Sequence, residues 1–498
     1  MTCWIVPFAL WLTTAVPRHG TAEIVLTAAS DYDGAAGEPN PFDLEVTARV
    51  VSPSGRRYSV PGFFDGDGQG GQSGRIFKIR VAAGEAGVWS WSTSSGVPGL
   101  DGLSGTFRVE GELPGLFRQG PVVVSAGSPR AFRRREGGPV FLLGKFLDAA
   151  APKPIQYSHT LLSEQLSDAD RQAMLDRHVA LGLNKIDLYL ANRGDYGGTC
   201  PTTPWLGTAA ANDKRYFDLR RWRSWEEWVR RLRDAGLVAQ LWFFADDSGF
   251  GSLSEADRRR LMRYGMARLS AEVNTIFTLA LEWQEGWTLP QVNADGAFLQ
   301  ERNPWSRPVS VHGLTGDFAL PMAPWVGYLD LQAGNAASPP AVHALGLANR
   351  ALAEKPLIVE ELGEGEEDAA SRQKAWAAFL AGAAGVGTGA SLGHLGRFAA
   401  RVPFAAMEPA DALVLGGGAW ALAAPGSAYV FYLYGGGTVR VDLRGASGPL
   451  QAEWYDPRDG GSRPLPSVAG GEVRTFTVPS PEDWVLYLHR SLKSRPLD

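Results

Sequence analysis

Residues 274–287 read NTIFTLALEWQEGW. Ile276, Phe277, Leu279, Ala280 and Leu281 make a nearly continuous apolar run of strand length, the pattern of a strand buried on both faces of a parallel sheet. Packing gives no reason for a carboxylate at its tip, yet Glu282 stands there, with Trp283, Glu285 and Trp287 just beyond. Parallel strands need long crossovers, so the flanking sequence has to supply helices.

It does so from about Phe117 to Gly396. PVFLLGKF (139–146) reads as a first strand, NKIDLYLAN as a second and LVAQLWFFADD as a third. The quoted run is the fourth, and RPVSVHG, GYLDLQAG, KPLIVEELGE and GVGTGASLG follow. Between them, SDADRQAMLDRHVALG, SWEEWVRRLRDAG and SEADRRRLMRYGMARLSA carry apolar residues at helical spacing, two of them behind a Ser cap. PPAVHALGLANRALAE and SRQKAWAAFLAGAAG flank the seventh strand. Eight strands within roughly 270 residues predict an α/β fold, a (β/α)8 TIM barrel. An open doubly wound sheet is the alternative, but no Gly-rich phosphate loop follows the first strand.

The flanks have another texture. FDLEVTARVVSPSG, RRYSVPGFF, RIFKIRVAA, GVWSWST and SGTFRVEGE alternate and end in turn residues, which predicts a small β-sandwich. AWALAAPGSAYVFYLYGG, TVRVDLRG, LQAEWYDPRDGG, VRTFTVP and WVLYLHR predict a second one. The expected boundaries are 1–22 for a leader, 23–115 for the first sandwich, 116–402 for the barrel, 403–489 for the second sandwich and 490–498 for a tail.

The leader reading rests on the short apolar run 3–16, followed by Arg18 and Thr21-Ala22, which resembles a secretory signal cut near Ala22. It implies a secreted or periplasmic protein. The run is too short to span a membrane. Once Cys3 is removed with the leader, Cys200 has no partner for an intrachain disulfide, and one thiol makes no metal site. The net charge of −5 over 498 residues argues against a nucleic-acid partner. The 17 Trp exceed ordinary core needs and suggest stacking surfaces.

Barrel enzymes carry their chemistry at the C-terminal ends of the strands. The acids there are Asp246 and Asp247 after the third strand, Glu282 after the fourth, and Glu360 and Glu361 after the seventh. A carboxylate pair across the mouth suits glycosidic cleavage: one acid protonates the leaving oxygen and the other attacks or activates water. Strand alternation turns Glu360 away from Glu361, which suggests a structural partner for Glu360 such as a helix-layer Arg. Trp283 and Trp287 could stack on sugar rings, and Glu285, Asp247, Arg193 and His312 could contact substrate. The competing explanations are core packing for Trp283 and Trp287, a cap for Glu285, turn chemistry for Asp247, a surface position or the orienting of Glu361 for Arg193, and a structural role for His312.

FTLALE and EELG resemble the strand-four and strand-seven motifs of the large clan of retaining glycoside hydrolases with catalytic Glu on those strands. Leu281 stands where that clan has an Asn that contacts the sugar 2-hydroxyl. NPFDLEVTARVVSPSGRRYSVPGFFDG and IFKIRVAAGEAGVWSWST resemble the β-sandwich domain of unknown function that precedes apiosidase-like glycoside hydrolase barrels. YVFYLYGGGTVRVDL, AEWYDPRDGG and FTVPSPEDWVLYL resemble the collagen-binding domain of a collagenase, which often follows such barrels. The resemblance implies Glu282 as general acid/base and Glu361 as nucleophile, with carboxyls about 5–5.5 Å apart. It implies a carbohydrate substrate, either a polysaccharide or an oligosaccharide, and needs neither cofactor nor metal. A non-catalytic carbohydrate- or matrix-binding protein on a decayed barrel is the alternative.

Overall fold

The structure is a computed structural model that describes residues 15–144, 161–192, 201–245, 250–317, 320–334, 337–362, 369–387 and 393–490. The chain is a mixed α/β protein with antiparallel sheets at both ends of the sequence.

The central region holds eight strands that pair in parallel. In chain order they are β1 (Leu142–Gly144), β2 (Lys185–Tyr189), β3 (Val238–Ala245), β4 (Thr275–Leu281), β5 (Val309–Ser310), β6 (Leu329–Gln332), β7 (Leu357–Glu360) and β8 (Gly385–Gly387). Each falls within a segment that reads as a strand in the sequence. One sheet runs β2-β3-β4-β5 and the other β1-β8-β7-β6. Two joints bring them together. A parallel bridge links His312 to Asp330. On the other side, the Asn184 backbone N–H donates to Leu143 O at 3.1 Å, and the Asn184 side chain bonds Leu143 N at 2.8 Å and Phe141 O at 2.9 Å. The result is a nearly closed ring.

Seven helices lie along this region among the described residues: α1 (Asp168–Ala180), α2 (Leu219–Asp234), α3 (Glu255–Leu269), α4 (Leu289–Glu301), α5 (Pro339–Leu352), α6 (Ala369–Leu380) and α7 (Gly393–Ala399). Their starts are set locally. Ser167 with Asp170 and Thr288 with Gln291 form reciprocal capping boxes, and Ser338 caps α5 ahead of two prolines. No helix intervenes between β5 and β6 among the described residues.

A short antiparallel sheet of Val122–Ser125, Ser128–Arg134 and Pro139–Val140 precedes β1. Phe117, Val122 and Phe132 pack against Leu142, Val238, Ile276 and Ile358 near the starts of the parallel strands. They close the N-terminal end of the ring. The first two of these strands were absent from the sequence reading, because SPRAFRR is too rich in Arg to show a clean alternation, and Pro139–Val140 was read as part of the first barrel strand.

The first sandwich is built on a seven-stranded sheet whose edges are Val16–Arg18 and Thr21–Asp33. It starts earlier than the expected boundary at Glu23. Val16 and Arg18 pair in parallel with Ser104–Glu112, and Ala22 is buried opposite Val81. A cut near Ala22 would strip one edge strand and open another. The C-terminal unit stacks a six-stranded sheet on a three-stranded one. It docks on the helix layer through aromatic contacts, Trp376 on Tyr432 at 5.6 Å and Phe398 on Tyr455 at 4.9 Å.

Candidate active site

Glu282 follows β4 and Glu361 follows β7. Both adopt left-handed backbone conformations, φ 42° and φ 54°, and they are two of five non-Gly residues with positive φ among those described. Such a conformation costs a non-Gly residue roughly 1–2 kcal/mol, and strain of this kind concentrates at functional sites.

The left-handed turn at Glu361 also breaks strand alternation. Glu360 points into the ring, where its Oε1 lies 2.7 Å from Lys185 Nζ. Glu361 lies at the mouth, 9% exposed, and accepts a 2.6 Å hydrogen bond from Gln332 Nε2. The expected helix-layer Arg is therefore not the partner of Glu360; Lys185 of β2 is.

His312 ties the two acids to one end of the ring. Its N–H donates to Ala280 O at 3.0 Å, and Trp283 N–H donates to His312 O at 3.2 Å, so it runs alongside the strand end that carries Glu282. Its Nε2 lies 3.9 Å from Glu361 Oε1. The ring is fully buried, tilted against Trp242 at 5.2 Å, and neither nitrogen has a hydrogen-bond partner among the described residues. Burial first, and the Lys185 charge second, pull His312 down to about 3. It is neutral near pH 7 and lies beside Glu361 without a hydrogen bond to it among the described residues.

Trp287 is 4% exposed and packs edge-on against Phe244 at 5.3 Å, and Trp283 is 8% exposed. Buried indoles offer no face for stacking, so the reading of these two as open sugar platforms is corrected: they wall the site from behind. Glu285 is exposed at the end of the short turn Trp283–Glu285. Asp247 and Arg193 lie outside the described residues, as do Asp246 and Cys200.

Beneath the acids lies a polar ladder that the sequence reading missed. Lys185 Nζ contacts Asp187 at 2.6 Å, Gln240 at 2.8 Å and Glu360 at 2.7 Å. Gln240 Nε2 donates to Thr278 at 3.0 Å and to Asp330 at 2.8 Å. All six side chains are fully buried. Burial pushes Glu360 up to about 7 despite Lys185, and burial with the Glu360 charge pushes Asp330 well above the ordinary carboxylate range. Room for the ladder comes from glycine. A Cβ on Gly144 would sit 2.6 Å from Lys185 Cε, and one on Gly387 would sit 1.4 Å from Glu360 Oε2. Polar residues at every second position, Lys185/Asp187 in β2, Gln240 in β3 and Asp330/Gln332 in β6, were the available signal.

Residues 15–96 match the family described as "Domain of unknown function (DUF5060)". Residues 419–489 match the "Putative collagen-binding domain of a collagenase". No curated protein matches the sequence. Among solved structures, the chain is similar to one from Bacteroides vulgatus ATCC 8482 described as a "putative glycoside hydrolase". That match has a TM-score of 0.76 at 18% identity and covers 95% of this chain and 99% of that one. It is also similar to a glycoside hydrolase family 5 structure from the same organism, with a TM-score of 0.60 at 17% identity, covering 75% of this chain and 94% of that one. At these identities the likeness is one of fold. It extends over both sandwiches as well as the parallel ring in the first case.

Proposed function

We propose that the ring is a (β/α)8 barrel that hydrolyses glycosidic bonds in a polysaccharide or oligosaccharide with net retention. Glu361 is the nucleophile and Glu282 the general acid/base. The observation that carries this reading is the placement of two strained carboxylate residues at the tips of β4 and β7, linked at one end of the ring through His312.

The roles follow from the surroundings. Gln332 donates to Glu361, and a hydrogen bond to the charged form keeps a carboxylate ionised and ready to attack. Neutral His312 adds no competing positive charge. Glu282 lies less deeply buried at the rim, where it can reach a leaving oxygen. In the first step Glu361 attacks the anomeric carbon while Glu282 protonates the departing oxygen. In the second, Glu282 takes a proton from the water that releases the sugar. The likeness to glycoside hydrolase folds supports a carbohydrate substrate. Export remains part of the proposal, with any cut placed before Val16, so that the first sandwich keeps its edge strand.

One observation favours a second reading. Leu281 packs with Tyr189, Trp242 and Ala245 in an apolar cluster, where an Asn would offer a hydrogen bond to sugar. A carbohydrate-binding protein without turnover would tolerate that loss. Screening hydrolysis on a polysaccharide panel, with Glu361→Gln as the control, separates the two. Turnover lost in the variant supports the enzyme, and binding without turnover in both supports the second reading.

A further inference from the structure

A second site lies at the far end of the ring. A cavity of about 730 Å³ opens between the first sandwich and the starts of the parallel strands. Its position is fixed by Val273, which precedes β4, and Arg307, which precedes β5. Both are remote from the strand tips that carry Glu282 and Glu361. The volume lies within the usual range for small-molecule sites.

Its charge is unbalanced. Arg307 is only 3% exposed; its Nε donates to Ser270 O at 2.9 Å and its Nη2 to Ala271 O at 3.3 Å, but among the described residues it makes no salt bridge, the Glu272 charge acting on it only at longer range, and its Nη1 makes no hydrogen bond. Burial, and then the charge of Arg135, pull its guanidinium down to about 9. Arg135 and Arg56 line the same cavity and make no salt bridge among the described residues, although the Glu136 charge acts on Arg135 and the Arg56 charge on Glu85. The two acids of the lining are already engaged. Glu85 accepts from Ser52 and Ser54 at 3.0 Å, and Glu136 pairs with Arg18 at 2.7 Å and His19 at 3.2 Å. Burial lowers His19, so it adds little charge of its own. A deeply buried guanidinium with a free donor, facing two more, is a poor resting state unless an anion completes it.

The remaining wall is aromatic. Tyr58, half-buried, lies against Trp305 at 5.0 Å, with Trp89 stacked behind it at 6.0 Å. The loop beside it carries the strained Ser306, φ 52°.

We infer that this cavity binds an acidic saccharide, with the guanidiniums of Arg307, Arg135 and Arg56 holding a uronate carboxylate beside the edge of the half-buried Tyr58. The saccharide class rests on the hydrolase reading; the anion site does not. Such a site would hold an acidic chain on the enzyme away from the cleavage point.

Titration calorimetry on the full-length Glu361→Ala variant, which should bind without turning over, tests this with trigalacturonate, maltotriose and inorganic sulfate as probes. Trigalacturonate should bind with an affinity that falls as salt rises, and maltotriose should bind the cavity weakly or not at all. Adding Arg135→Ala or Arg56→Ala, both at exposed positions, should weaken trigalacturonate by roughly tenfold or more. Either substitution alone should leave the melting temperature and any hydrolysis of neutral substrates unchanged. Absent trigalacturonate binding, or binding untouched by both substitutions, overturns the proposal. Sulfate binding as tightly as trigalacturonate overturns the saccharide assignment and leaves a simple anion site. Failure of the hydrolase reading would appear separately, as absent turnover with this binding intact.

Discussion

Two buried charge clusters sit in this chain, and they are balanced differently. At the seam between the first sandwich and α2–α3, Lys78, Arg80 and Arg268 meet Glu23, Asp65 and Glu226, three cations against three acids. Inside the ring, Lys185 faces Asp187, Glu360 and Asp330. In the first cluster burial alone would raise Glu226, but Arg268 and Arg80 outweigh it and hold its carboxyl far below the usual range. In the second the acids outnumber the cation. Glu360 rises to about 7, and Asp187 Oδ2, Asp330 Oδ1 and Glu360 Oε2 have no hydrogen-bond partner among the described residues. A matched cluster fastens two units together. An acid-rich one, a single residue from Glu361, holds a proton within the ring, and imbalance of that kind marks functional regions more often than structural ones.

The largest effect should come from Lys185→Met. It leaves three buried acids without a cation and should destabilise the chain by about 3–5 kcal/mol at pH 8. Urea unfolding should show part of the loss recovered at pH 5, where the acids take up protons. Loss that is equal at both pH values would mean the imbalance is not electrostatic.

Glu226→Gln should cost about 3 kcal/mol by removing the shared partner of Arg80 and Arg268. A carboxylate with a depressed folded-state pKa contributes stability that is lost only as pH falls below its ordinary value. The cost should therefore stay level between pH 5 and 8. Turnover per folded molecule should not change, and a change would erase the functional distinction between the clusters.

Glu360→Gln should behave in the opposite sense. Glu360 in the folded state binds its proton up to about pH 7, against an ordinary 4.5. The folded state then holds more protons than the unfolded one across that window, so native stability from this group falls as pH rises through it. Relative to the parent, the variant should gain more than about 1 kcal/mol between pH 4.5 and 7. His312, depressed to about 3, opposes this slope in both proteins and cancels in the difference.

The smallest effect belongs to Asp330→Asn. Burial and the Glu360 charge favour the protonated carboxyl of Asp330, so Asn is a near-isostere, and the acceptor for Gln240 and Thr278 is kept. The change should stay below about 1 kcal/mol. A larger loss at pH 7 would show Asp330 to be ionised.

The parallel strands were legible because a strand buried on both faces is mostly apolar, as Phe277–Leu281 is apart from Thr278. Glu282 stood out for the same reason, being a charge at the end of a run that holds none. Glu360 was read as a structural residue, as found, but its partner was misassigned because alternation assumes an extended backbone, and the left-handed turn at Glu361 breaks it. Trp283 and Trp287 were ambiguous, since an indole beside an acid reads alike whether its face is open or packed on Phe244. The edge strand Val16–Arg18 was lost to the leader reading, because a short apolar run has one signature in a sheet and in a signal. Lys185 and Gln240 come from paired strands, but Asp330 and Glu360 belong to the other sheet, and only closure of the ring makes them neighbours. The same holds for Arg307 and Arg135.

The central claim is that Glu361 and Glu282 act as a nucleophile and acid/base pair. Azide rescue with product stereochemistry tests it most directly. Glu361→Ala should lose nearly all turnover, on the order of 10⁵-fold, and azide should restore part of it, giving a glycosyl azide of inverted configuration. Glu282→Ala should lose roughly 10²–10⁴-fold on substrates with poor leaving groups and far less in the first step on good ones. Its azide product should keep the substrate configuration. The reverse pattern would exchange the two roles, and parent-level hydrolysis by both variants would contradict the account.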